Sequence, residues 1–154
     1  MRKILKWIAI ILVIIFVGIQ VIRPAKTNPP IDQAQTIEAH TQMTPQVAAI
    51  LDRSCHDCHS NKTRWPWYSN VAPASWLVID DVNEARKAMN LSEWSRRDPD
   101  RQSKKLQQIC DEVTDGAMPL GSYRPLHPGS KLSAADIKTL CDWTSAERAR
   151  LSRH

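Results

Sequence analysis

Five residues constrain this chain more than any others: Cys55-His56-Asp57-Cys58-His59. Two thiols separated by two residues, with an imidazole directly after the second, form the C-x-x-C-H attachment signature of a c-type haem. Each thiol must add to a vinyl group on one side of a porphyrin, and the imidazole must reach the iron. On a helix, positions i, i+3 and i+4 share one face. Cys55, Cys58 and His59 are therefore expected on one side, with His56 and Asp57 turned away. His59 becomes the proximal ligand, and one covalent haem c is the expected cofactor.

The two other cysteines, Cys110 and Cys141, fall on the apolar faces of two different predicted helices. A disulfide between them is expected in an oxidising compartment; two buried thiols acting as small apolar groups are the alternative. A zinc site built from all four cysteines is disfavoured, because zinc ribbons supply two close C-x-x-C pairs and the second pair here is far apart. A thioredoxin-like motif lacks its βαβ context.

The N-terminal stretch is the second strong signal. From Trp7 to Ile22 the chain is almost wholly apolar, broken by Gly18 and Gln20. With Ile4 and Leu5 it approaches the roughly 20 residues that cross a bilayer. Arg2, Lys3 and Lys6 precede it, which puts the N-terminus on the cytoplasmic side. A cleavable signal peptide competes, but Arg23-Pro24-Ala25-Lys26 is a poor cleavage site. The expectation is an uncleaved transmembrane signal anchor over 1–23. The chain would then be a single-pass protein of the cytoplasmic (inner) membrane, with the haem domain facing the periplasm, where bacterial C-x-x-C-H proteins receive their haem.

Charge follows the same division. The 154 residues carry 21 Lys+Arg against 16 Asp+Glu, and five of the basic residues lie in the first 26, which hold no acid. The remainder is formally neutral, so the basic balance does not indicate nucleic acid.

Pro24, Pro29 and Pro30 mark 24–43 as a Pro-rich linker, and 44–150 as the haem-binding domain. Thr44-Pro45 is an N-cap followed by proline at the first helical position. Val47, Ile50 and Leu51 then define an apolar face leading into the Cys55 motif. A second helix covers Ala74 to Met89, with Val78, Val82, Ala85 and Met89 on one stripe. Asp98-Pro99 starts a third, with Leu106, Ile109, Cys110 and Val113 inward and Gly116 as C-terminal cap. Ser133 and Asp136 form a capping box before the last helix, which carries Ile137, Leu140 and Cys141. No segment alternates with period two, so the domain reads as all-α, with about four helices behind the N-terminal transmembrane helix. Between the first two helices, Trp65, Trp67 and Tyr68 are available to cover a large flat ligand.

Haem iron has a sixth position. Met118, in the proline-punctuated loop Ala117–Pro128, is the expected distal ligand, with His127 its serious rival. Met43, Met89 and His40 fit packing or linker positions better, and His154 is terminal.

These residues resemble a bacterial haem-binding domain family of small membrane-anchored c-type cytochromes. The resemblance rests on Cys55 to Asn61, Thr63 to Asn70, Ala72-Pro73, Ser75-Trp76, Asp81-Val82, Ser92-Glu93-Trp94, Met118-Pro119, Tyr123 and His127-Pro128. It implies a cytochrome c-like haem domain, with Cys55 and Cys58 as attachment sites, His59 proximal and Met118 distal. An electron carrier serving redox partner proteins of the membrane or periplasm follows. The alternative is a haem-based sensor or ligand-binding module with an open or displaceable sixth position. No nucleophile–base pair points to an enzyme, and peroxidase chemistry would need a distal acid–base residue such as His127.

Overall fold

The computed structural model describes residues 1–153, so His154 lies outside the described residues. Among them the protein is all-helical, with no strand. The α-helices are α1 (Arg2–Ile19), α2 (Ile37–His40), α3 (Pro45–Ser54), α4 (His56–His59), α5 (Ala74–Ala88), α6 (Pro99–Thr114) and α7 (Ala134–Leu151). Short 3-10 turns fill the connections, the longest over Leu91–Arg96. Helices α3, α5, α6 and α7 occupy the stretches where apolar periodicity placed helices.

Their ends follow local chemistry. The Thr44 hydroxyl accepts the Val47 N–H at 3.3 Å and Pro45 opens α3. Asp98 caps α6 through the Arg101 N–H at 2.8 Å. Gly116, at φ +71°, follows its C-terminus in the left-handed conformation that glycine adopts without a Cβ clash. Ser133 and Asp136 satisfy each other's backbone N–H groups at the start of α7, and Arg53 of α3 pairs with Asp136 at 2.8 Å.

The core gathers Val47, Ile50 and Leu51 of α3, Leu106, Ile109 and Val113 of α6, and Leu140 and Trp143 of α7. Leu91 and Trp94 close it from the 3-10 segment, with the Trp94 indole fully buried. The sulfurs of Cys110 and Cys141 are joined across α6 and α7, whose Cα atoms there are 4.8 Å apart.

Segment 24–43, expected as a linker, lies along the domain. Ile37 is a core residue with no exposed surface, and the Asn28 amide donates to the Thr63 carbonyl at 2.9 Å. Proline content alone could not register Ile37, a single apolar residue with no periodic partners nearby.

The expected transmembrane helix must be corrected. No helix among the described residues is long and apolar enough to cross a membrane. Helix α1 includes Arg2, Lys3 and Lys6 and stops at Ile19. Its uncharged part, Trp7 to Ile19, is about 20 Å long at 1.5 Å per residue, against a hydrocarbon core of about 30 Å. The apolar run continues in sequence, but the helix does not. The Gln20 side chain exchanges two hydrogen bonds with the Ala72 backbone, and the Trp76 indole N–H takes the Ile22 carbonyl at 2.8 Å. Val21 and Ile22 are thereby held at the domain surface. The single-pass inner-membrane placement with a periplasm-facing domain loses its basis with the span.

Candidate haem-binding site

The attachment motif begins at a break in the chain. Cys55, at φ −128° and ψ −41°, ends α3 and starts the single turn of α4. Its carbonyl accepts the N–H groups of Cys58 and His59 at 3.2 and 2.8 Å. The local fold thus brings the two thiols and the imidazole onto one turn, although the helix does not run straight through.

Three adjoining cavities follow this turn. The largest, about 390 Å³, is walled by Cys58, Tyr68, Leu77, Val78, Leu120 and Tyr123 among others. The second, about 270 Å³, shares Cys58, Leu120 and Tyr123 with it and adds His59, Ala85 and Met118. The third, also about 270 Å³, shares His59 and Met118 with the second and reaches Cys55, Met89, Ile109 and Val113. The result is an elongated, mostly apolar slot, with Cys58 towards one end, Cys55 towards the other and His59 and Met118 between. Such a volume suits a cofactor-sized ligand. The stripe Val78, Val82 and Ala85 of α5, continued by Met89 just past its end, runs along it.

His59 is held from behind. Its Nδ1–H donates to the carbonyls of Ala85 and Met89, each at 3.1 Å, while Nε2 makes no hydrogen bond among the described residues. This fixes the tautomer and ring direction in the way that metal-ligating histidines are oriented by their other nitrogen. Burial pulls the imidazole below its ordinary pKa, against the opposing effect of the two carbonyls, and keeps it neutral. Burial also pushes the Cys55 thiol up to about 12 and the Cys58 thiol up to about 11, so both stay protonated at neutral pH.

Met118 lies two residues past Gly116, its N–H bonded to the Glu112 carbonyl at 3.1 Å, and the Met118-Pro119 peptide is cis. His127 is elsewhere: its ring stacks on Tyr123 at 3.8 Å between centroids, its Nδ1–H donates to the Tyr123 carbonyl, and it lines none of the three cavities. Of the three aromatic residues singled out in sequence, Tyr68 lines the largest of these three cavities. Trp67 is 74% exposed and meets Tyr68 edge to face at 5.7 Å. Trp65, half-buried, lines none of the three cavities. His56 is buried away from the slot, 3.6 Å from Glu38 and from Asp52.

Two residues that sequence patterns did not single out organise the site. Asp57 accepts the Arg64 Nε–H at 2.9 Å and the Tyr123 hydroxyl at 2.8 Å. It therefore ties the Cys55–His59 turn to both loops that wall the slot. Burial and this bond raise the Tyr123 hydroxyl well above its usual pKa. Arg86 of α5 reaches the carbonyls of Ser60 and Thr27, the Asn28 side chain and the Thr63 hydroxyl at 2.7–2.9 Å. Nothing in the local sequence distinguishes either residue; Tyr123 lies 66 residues from Asp57, and every Arg86 partner lies more than twenty residues from it.

A family model for a haem-binding domain matches residues 14–146. The chain belongs to this haem-binding domain family. No curated protein and no solved structure matches it. The donor set fits the family: a neutral imidazole with a free nitrogen, two protonated thiols and a thioether border one apolar slot.

Proposed function

We propose that the protein is a c-type cytochrome whose single haem is bonded to Cys55 and Cys58 and ligated by His59 and Met118, and that it carries electrons between redox partner proteins. The observation that supports this most is the orientation of His59, with Nδ1–H spent on the Ala85 and Met89 carbonyls at the end of α5 and Nε2 free beside the slot that Met118 shares.

The Cys55 and Cys58 thiols would each add across a vinyl group. Each addition would join sulfur to the vinyl carbon next to the ring and place the thiol hydrogen on the terminal carbon, consuming no oxidant. Bound haem supplies a one-electron iron couple. His59 would hold the iron through its free nitrogen and Met118 through its sulfur, a pair that favours a relatively high potential. Ile109, Val113 and Leu120 give the slot apolar walls. With Met118 on the distal side and His127 stacked on Tyr123, the reading is a carrier rather than an enzyme.

The test is expression with the c-type maturation machinery, followed by mass measurement and spectra. A haem-sized mass increase that survives denaturation is expected, with a weak near-infrared sulfur-to-iron band when oxidised. No mass increase removes covalent attachment. Tight carbon monoxide binding with a high-spin resting spectrum would instead favour a ligand-binding module.

A further inference from the structure

A second groove, about 480 Å³, opens where the end of α5 meets the Leu91–Arg96 turn and α6. Lys87, Arg96, Arg97, Arg101, Lys104 and Lys105 line it, against one carboxylate, Glu93. Three of these cations have local acidic partners: Lys87 with Glu84, Arg96 with Glu93 and Arg101 with Asp98. Arg97, Lys104 and Lys105 have no carboxylate partner among the described residues. The groove also shares Ala88, Lys105 and Gln108 with the cavity that holds Cys55, His59 and Met118. At the opposite end of the slot the charged lining residues are Asp57, Asp81 and a single cation, Arg64, which is paired with Asp57 and Asp52. The cationic excess is therefore one-sided and lies beside one end of the haem slot.

We infer that this groove docks the acidic surface of an electron-exchange partner and brings that partner against the Cys55 end of the slot, an inference that rests on the carrier reading. A protein partner is favoured over a free anion because the cations are spread over α5, the 3-10 turn and α6 rather than converging on one point. Spread charge of this kind steers encounter and sets orientation, and its effect fades with salt.

The test uses holo-protein and the variant Lys87→Glu/Arg101→Glu/Lys104→Glu, whose three residues line none of the slot cavities. The corresponding Gln variant separates charge from packing, and a thermal melt reports folding. The reduced protein gives one electron to hexacyanoferrate(III), an anion, or to tris(phenanthroline)cobalt(III), a cation, under stopped flow. In the Glu variant the hexacyanoferrate rate should fall by about fivefold or more and the cobalt rate rise, both differences shrinking with salt. Binding of a labelled oligoglutamate, read by anisotropy, should weaken in parallel. Unchanged rates and unchanged oligoglutamate binding overturn the inference, as does tighter groove-dependent binding of a DNA duplex. If neither complex exchanges electrons the carrier reading fails, and the oligoglutamate measurement still decides whether the groove docks acidic protein.

Discussion

The two sides of the slot are built differently. His59 sits on a one-turn helix, four residues after the thiol that starts it, and the backbone carbonyls of Ala85 and Met89, at the end of α5, fix its ring. Met118 hangs from a loop, with one backbone bond to Glu112 and packing against the core. The His59 side is local and over-determined. The Met118 side depends on where α6 ends, and α6 in turn is held by α7. The comparison teaches that attachment and ligation should fail separately.

The largest break is at the proximal turn. Cys55→Ala/Cys58→Ala should abolish the haem-sized mass increase under denaturing conditions; persistence of that increase would show attachment elsewhere. Met118→Ala should leave haem attached yet remove the near-infrared band, lower the reduction potential and admit carbon monoxide. An unchanged spectrum would remove Met118 as ligand. Replacing both Cys110 and Cys141 with Ser should loosen the distal side alone. Closing a loop of this length stabilises by about 3.5 kcal/mol in the chain-entropy view, so urea titration should show a loss of that order with haem retained. Labelling of both cysteines by alkylation of unreduced wild type would contradict the bridge.

Asp57→Asn sharpens the comparison, because Asp57 links the proximal turn to Tyr123 on the distal loop. A loss of about 1–2 kcal/mol is expected by chemical denaturation, with the Arg64 contact adding little because that side chain is 58% exposed. The smallest effect is at Asp136, where the Ser133 backbone N–H, then Arg53, hold the carboxyl down to about 2 from 3.8. A depressed folded-state pKa gives stability that is complete above the unfolded value and lost as pH falls through the folded one. The wild type should therefore lose stability between pH 3.8 and about 2 more steeply than Asp136→Asn, as urea titrations across that range would show.

Much of the domain was legible because its helices obey local rules. Thr44-Pro45, Asp98-Pro99, Gly116 and the Ser133/Asp136 box mark ends by chemistry within a few residues. The N-terminal segment was misread for the complementary reason. Apolar composition runs from Trp7 to Ile22, but helix length is set where Gln20 meets Ala72 and Ile22 meets Trp76, more than fifty residues away. Trp65 and Trp67 show the same limit. Aromatic character says that a side chain can cover a flat ligand, not which way a loop held by Asp57 and Arg64 will turn it.

The sequence by itself determined that Cys55, Cys58 and His59 share one turn, since their spacing leaves little freedom. It also determined the all-helical class and most helix ends. Only the tertiary structure decided that Ala85 and Met89 orient His59, that Met118 rather than His127 shares its cavities, and that Cys110 and Cys141 meet. Those relations join positions roughly 25 to 60 residues apart, and contacts at that range are set by how the helices pack.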